Sequence, residues 1–316
     1  MLRMEKILFY VNERNNVEAN LETAAAMARN SAATLTLVDV IDKLPCELLR
    51  LRPSAGMDSQ AQLAMEETSE ALEGLARRAR ELGVVTHTRV LTGIPSAALI
   101  REVTQGGYGL LMVNAPRKVG VRERVLGGTT QKLIRTCPCP VLVMPPGGVE
   151  RNGGVLAAVS PELGDETRIA SSAAVLGAAA ALARARECEL RILHCWSLLG
   201  ESVLMRTAGV HRGQMASLLL GAQRSARMAM EELMRRVDLK GIRYSVQLRK
   251  GDPLKLVPEH VNGKRIGILV IGAPERTGIA GLLRWSLAEE ILRSVDCPVA
   301  TVRSSGLPVP VARRAA

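Results

Sequence analysis

Aromatic side chains are almost missing from this sequence: one Phe, three Tyr and two Trp serve 316 residues. So few rings argue against base stacking as a way of holding single-stranded nucleic acid. They also leave the core to Val, Leu, Ile, Ala and Met, a filling that suits parallel strands buried on both faces. Long apolar runs are missing too. The longest, Ala173–Ala183, is mostly alanine and too short to cross a bilayer, so no membrane partner is expected. Near the start, Ile7–Val11 is only five residues long and runs into polar Asn and Glu, which predicts a first strand and not a signal peptide. Six cysteines at irregular spacing make no disulfide framework, and a reducing cytoplasm is the expected setting. Cys137 and Cys139 form a C-x-C pair, but no second pair or neighbouring His completes a tetrahedral metal site. Their expected role is packing, and no metal is expected. Catalytic signatures are also lacking. Ser160 is followed by Pro161 and sits in no nucleophile elbow. Asp39 and Asp42 flank Val40 without a partner at acid–base spacing. His194, at the end of an apolar strand, is expected to be a satisfied core histidine.

The formal charge is +11. Basic and acidic residues nevertheless alternate along probable helices (Glu70, Arg77, Arg78, Arg80, Glu81), as on an ordinary soluble surface. With no helix-turn-helix or RNA-binding signature, no nucleic-acid partner is expected.

What the sequence does contain is a repeat. Sliding it by 158 positions brings Gly93 and Pro95 onto Gly251 and Pro253, and Gly109 and Leu111 onto Gly267 and Leu269. Ala115 and Pro116 meet Ala273 and Pro274, and Cys139, Pro140 and Val141 meet Cys297, Pro298 and Val299. Gly and Pro in step with apolar runs over such a length mean a duplicated domain. Within each copy five apolar strands alternate with four helical segments; Lys6–Asn12, Ala33–Val40, Val84–Leu91, Leu110–Asn114 and Pro140–Met144 are the predicted strands of the first, and Thr130–Thr136 and Leu287–Ser294 are the last predicted helices of the two copies. The fold class is therefore α/β, two doubly wound five-stranded parallel-sheet domains. The expected boundaries are 1–146 and 153–305, joined by the Pro- and Gly-rich Pro145–Gly154, with 306–316 a flexible tail. The final strands, Pro140–Met144 and Val299–Val302, are apolar edges expected to pair, relating the halves by a pseudo-twofold axis. The chain is then an intramolecular pseudo-dimer, as a monomer or a homodimer.

Two stretches carry a resemblance. Leu269-Val-Ile-Gly-Ala-Pro-Glu-Arg-Thr-Gly is followed by Trp285-Ser-Leu-Ala-Glu-Glu-Ile-Leu-Arg and Asp296-Cys-Pro-Val. Leu111-Met-Val-Asn-Ala-Pro-Arg-Lys-Val-Gly is followed by Gly127-Gly-Thr-Thr-Gln-Lys-Leu-Ile-Arg and Cys139-Pro-Val. Both resemble the carboxyl-terminal half of a universal stress protein domain, and the tandem form resembles the family's two-domain members. The resemblance implies an adenine nucleotide alpha-hydrolase-like fold. It also implies a comparison with the family's ATP-binding members, which carry G-x2-G-x9-G-[ST] after the fourth strand. Glycines there let backbone N–H groups approach phosphate at a helix start.

The first half places Asn114, Arg117, Gly127 and Gly128 at the motif positions, with Thr129 one further on; the second places Gly272, Glu275, Trp285 and Ser286. Arg117 offers an anion a side chain in place of backbone. Glu275 sets a carboxylate where phosphate would lie, and Trp285 adds bulk. At the base-binding end the family's aspartate position holds Asn12 and Ser160, and the apolar contact after the second strand holds Val40 and Cys195. The motifs are degenerate, so the resemblance implies a non-catalytic binding or regulatory protein of the stress response, with no obligatory cofactor. One alternative is an ATP- or other adenine-nucleotide-binding protein, its site in the first half, with slow ATP hydrolysis left open. Another is a carrier of an apolar small molecule beside the Met-rich Met215–Met234.

Overall fold

Strands in the first half are short runs of β-branched and leucyl residues, and helices begin where apolar spacing lengthens to three and four. The structure, a computed structural model, describes residues 4–11, 17–41, 57–115, 127–145, 148–150, 153–198, 201, 212–263, 265–273, 288 and 290–303. Two units divide between Val149 and Glu150. The first unit contains β1 (Lys6–Tyr10), α1 (Val17–Asn30), β2 (Thr34–Ile41), α2 (Met57–Glu81) and β3 (Thr86–Thr92). It continues with α3 (Pro95–Gly106), β4 (Leu110–Asn114), α4 (Gly128–Thr136) and β5 (Val141–Met144). Its strands lie in the order β3-β2-β1-β4-β5, and each pairing is parallel.

The second unit repeats this with β6 (Gly154–Val159), α5 (Glu166–Ala185), β7 (Leu190–Trp196), α6 (Arg212–Arg236) and β8 (Tyr244–Lys250). Then come α7 (Pro253–Gly263), β9 (Ile266–Gly272), helical residues 290–294 and β10 (Val299–Val302). The order is β8-β7-β6-β9-β10, again parallel. The predicted helix Leu287–Ser294 lies partly, and the predicted tail 306–316 wholly, outside the described residues.

Aliphatic side chains fill both cores. Ile7, Leu8, Leu35, Leu37, Leu110 and Leu111 are fully buried in the first, as are Val155, Leu156, Leu190, Leu269 and Val270 in the second. Each contributes roughly 1.5–3 kcal/mol on leaving water, and in the first core the fully buried ring of Phe9 joins them. Helix α1 buries Leu21, Ala24, Ala25 and Ala28, the single stripe that a sheet-covering helix needs.

The duplication extends to individual hydrogen bonds. Leu111 N donates to Pro140 O at 3.0 Å, and Leu269 N to Pro298 O at 2.9 Å. Ala115 N donates to Met144 O and Ala273 N to Val302 O, both at 2.7 Å. Gly93 (φ +118°) and Gly251 (φ +142°) each leave the third strand of their half in a conformation closed to other residues. Their N–H groups bond Ile41 O at 3.0 Å and Trp196 O at 2.9 Å. Two residues on, Pro95 and Pro253 open α3 and α7. Gly93→Ala should therefore destabilise the first half by roughly 1–3 kcal/mol through backbone strain alone. Gly251→Ala should cost more, because its Cβ would also lie 3.0 Å from Leu256 Cδ1, whereas among the described residues a Cβ at Gly93 meets nothing within 4 Å. Urea unfolding midpoints at unchanged m-value check both.

Candidate functional site

In each unit the strand order turns back beside the first strand. β1 has β2 on one side and β4 on the other, and β6 has β7 and β9. Crevices beyond the carboxyl ends of such strands are where ligands bind in doubly wound sheets.

In the first unit the crevice rim is set by the ends of β2 and β4 and the start of α4. Asn12 and Arg117 lie outside the described residues. Val40 is buried near the end of β2, its N–H bonded to Asp39 Oδ1 at 2.8 Å. Asn114 ends β4 and is buried, 5% exposed. Beside it lies a residue that the motif comparison missed, Asn20 of α1, 1% exposed. Asn20 Nδ2 donates to Asn114 Oδ1 at 2.8 Å and to Pro145 O at 3.2 Å. A carbonyl accepts only, so Pro145 fixes the orientation of Asn20, which in turn fixes that of Asn114. One amide thus ties α1 to the ends of β4 and β5. Asn20 Oδ1 and Asn114 Nδ2 keep no hydrogen-bond partner among the described residues.

Helix α4 begins two residues before the predicted Thr130, because Gly127 takes the extended N-cap conformation and Gly128 enters the helix. Among the described residues no side chain caps it, and the first-turn N–H groups of Gly128, Thr129 and Thr130 have no intrahelical acceptors. Among the described residues, a Cβ at Gly127 or Gly128 would meet nothing within 4 Å. Space and backbone donors therefore coincide here. Thr129 is half-buried at the same turn.

The second crevice is built differently. Ser160, just past β6, accepts a hydrogen bond from Arg168 Nη2 at 3.0 Å. Arg168 also pairs with Glu162. Its place in the first turn of α5 is set by Asp165, whose Oδ1 accepts the Arg168 N–H at 3.0 Å. Ser160, the residue matched to the family's base-binding aspartate, is thus engaged by the chain's own guanidinium. His194 Nδ1 lies 3.1 Å from Val159 O, an acceptor only, so the ring donates there and carries its proton on Nδ1. Burial holds its pKa below the usual value. Burial likewise pushes the Cys195 thiol up to about 11. The Cys195 thiol is therefore not poised as a nucleophile at neutral pH. Gly272 ends β9, and Ser286, Glu275 and Trp285 lie outside the described residues.

His194 carries a pH consequence. An unfolded His takes up a proton near pH 6.5 (roughly), whereas the folded ring does so only at lower pH, so stability is lost as pH falls below about 6.5. His194→Gln should lose less stability between about pH 7 and pH 5 than the parent does, as read from urea midpoints across that range.

The two crevices differ at one matched pair. A Cβ on Gly272 would lie 3.6 Å from Val175 Cγ2 of α5. Where the first half has a buried amide pair, Asn20 and Asn114, the second has Val175 and Gly272. A polar residue on the apolar stripe of α1 was the one signal for Asn20, and nothing in the sequence pointed to Arg168.

Elsewhere, Met230 and Leu233 of α6 are buried, whereas Met228, Leu218 and Leu220 are exposed. Among the described residues no three His, Cys, Asp or Glu gather as metal ligands, and no helix is long and apolar enough to cross a membrane.

Known proteins place this geometry in context. The profile of the Universal stress protein family matches residues 4–145 and 168–303. Universal stress protein E of Escherichia coli (strain K12) is 22% identical over 233 residues, covering 73% of this chain and 70% of that protein. A universal stress protein of Methanocaldococcus jannaschii is 27% identical over 121 residues, covering 38% of this chain and 70% of that protein. The crystal structure of a universal stress protein from Archaeoglobus fulgidus matches with a TM-score of 0.67 at 16% identity, covering 95% of this chain and 99% of that one.

Proposed function

We propose that this chain, which belongs to the universal stress protein family and carries two of its domains in tandem, works by binding a small ligand and not by turning one over. One observation carries the reading. Among the described residues the first crevice offers two amide atoms without partners, an uncapped helix start and open space, but no base beside a nucleophile. Binding needs the former and catalysis the latter. In the second crevice the reactive groups are engaged within the chain, His194 with Val159 O and Ser160 with Arg168. The family supports a stress-response setting.

A nucleotide is the second reading, favoured by the Gly127–Gly128 start of α4, where backbone N–H groups suit phosphate. Native mass spectrometry of gently purified protein tests the proposal. The expected spectrum shows at most one small molecule per chain, unchanged in mass after prolonged incubation. Release of a chemically altered product over several turnovers would refute a binding role.

A further inference from the structure

Cys137 and Cys139 stand apart from both crevices. Their Sγ atoms lie 3.6 Å apart, and neither is joined in a disulfide. The sequence here is Thr136-Cys-Pro-Cys-Pro, so each cysteine precedes a proline. Pro138 has its φ fixed, and a residue before proline is confined to extended backbone. Cys137 is further fixed as the last cap of α4, its N–H bonded to Leu133 O at 2.8 Å. At the other end Pro140 O receives Leu111 N, which ties the segment to β4. Two thiols are therefore held in contact by backbone that has little freedom to separate them. The matched segment of the second half has Val295 and Cys297 and no such pair.

We propose that Cys137 and Cys139 are an oxidation site, a dithiol that closes to an intramolecular disulfide when a hydroperoxide is present. Cys139 is 9% exposed against 1% for Cys137, so Cys139 meets the oxidant. Its sulfur attacks the peroxide O–O bond, giving a sulfenic acid and releasing an alcohol. Cys137 then attacks that sulfur, the S–S bond forms and water leaves. In sum, two thiols and one hydroperoxide give one disulfide, one alcohol and one water. Closure requires the sulfurs to approach to about 2.05 Å, a shift of roughly 1.5 Å. Contact with Cys137 and burial hold the Cys139 thiol well above its ordinary pKa, so the first step is slow at neutral pH and speeds up as pH rises.

The full chain, treated with tert-butyl hydroperoxide and digested with trypsin without reductant, tests this. Both cysteines fall in one tryptic peptide, Thr136–Arg151. That peptide should become lighter by two hydrogens, and dithiothreitol should reverse the change. Cys137→Val copies the side chain of the matched position and removes the resolving thiol. In that variant the two-hydrogen loss should vanish, and dimedone labelling of Cys139 should rise about fivefold or more. Cys297→Ser should leave the peptide's oxidation unchanged. The proposal is overturned if Cys137 and Cys139 remain thiols after Cys297 is fully oxidised. It is equally overturned if Cys139 proceeds to sulfinic acid in the parent with no disulfide formed.

Discussion

Asn114→Gly should destabilise the first half by about 1–3 kcal/mol, and Asn20→Val added to it should restore most of that loss. Asn20 Nδ2 gives one hydrogen to Asn114 Oδ1 and the other to Pro145 O, at a site 1% exposed. Removing Asn114's side chain strands a buried donor, whose desolvation cost is then uncompensated. Asn20→Val alone strands the acceptor on Asn114 by the same logic. Together the two changes recreate the pairing of Val175 with Gly272 that the second half uses. Neither amide is then left behind, and the bond lost to Pro145 O appears in both arms and cancels, so the double variant should be more stable than the sum of the singles by about 1–3 kcal/mol. The cycle cancels the backbone-entropy cost of the new glycine, which appears in both arms. Urea unfolding of the full chain, followed by a probe of the first half, gives the four values. Strict additivity would show that the amide pair contributes nothing specific.

The converse change sharpens the comparison. Gly272→Asn would bury an amide against Val175, with no acceptor in place of Asn20, and should destabilise the second half by about 1–3 kcal/mol.

The architecture was legible in the sequence because its determinants are local and periodic. Apolar runs such as Ile7–Val11 and Leu110–Val113 can only be strands buried on both faces, and Gly93-Ile-Pro repeated as Gly251-Asp-Pro marks the same strand-to-helix turn twice. The parallel order and the family follow from these. The site was less legible. Motif positions identified Asn114, Gly127 and Gly128, but not that Asn114's amide turns to α1. That depends on a partner 94 residues away, which no local pattern reveals. Arg168 was invisible for the same reason: its contact with Ser160 exists only because Asp165 starts α5 where it does. The start of α4 was placed late because glycine is a poor helix former, yet it is well suited to an N-cap.

The second large effect concerns nucleotide. Glu275 falls at the motif position where the family resemblance leads one to expect phosphate in the second half. At about 4 Å and an effective dielectric near 20, each charge pair there repels by up to roughly 4 kcal/mol, and half of that already weakens binding more than tenfold. Arg117, at the corresponding position of the first half, acts with the opposite sign. Any affinity the chain has for ATP is therefore expected in the first half, and Arg117→Glu should reduce it by more than about tenfold.

The most direct measurement is calorimetric titration of ATP into the full chain, its Arg117→Glu variant and its Gly272→Ala/Ser286→Ala variant, with ADP assayed in the same cells. The account predicts no more than one ATP per chain, lost with Arg117→Glu, kept in the Gly272→Ala/Ser286→Ala variant, and no ADP formed. Tight ATP binding that survives Arg117→Glu and disappears only with the changes at Gly272 and Ser286, or steady ADP production by the parent, would contradict it.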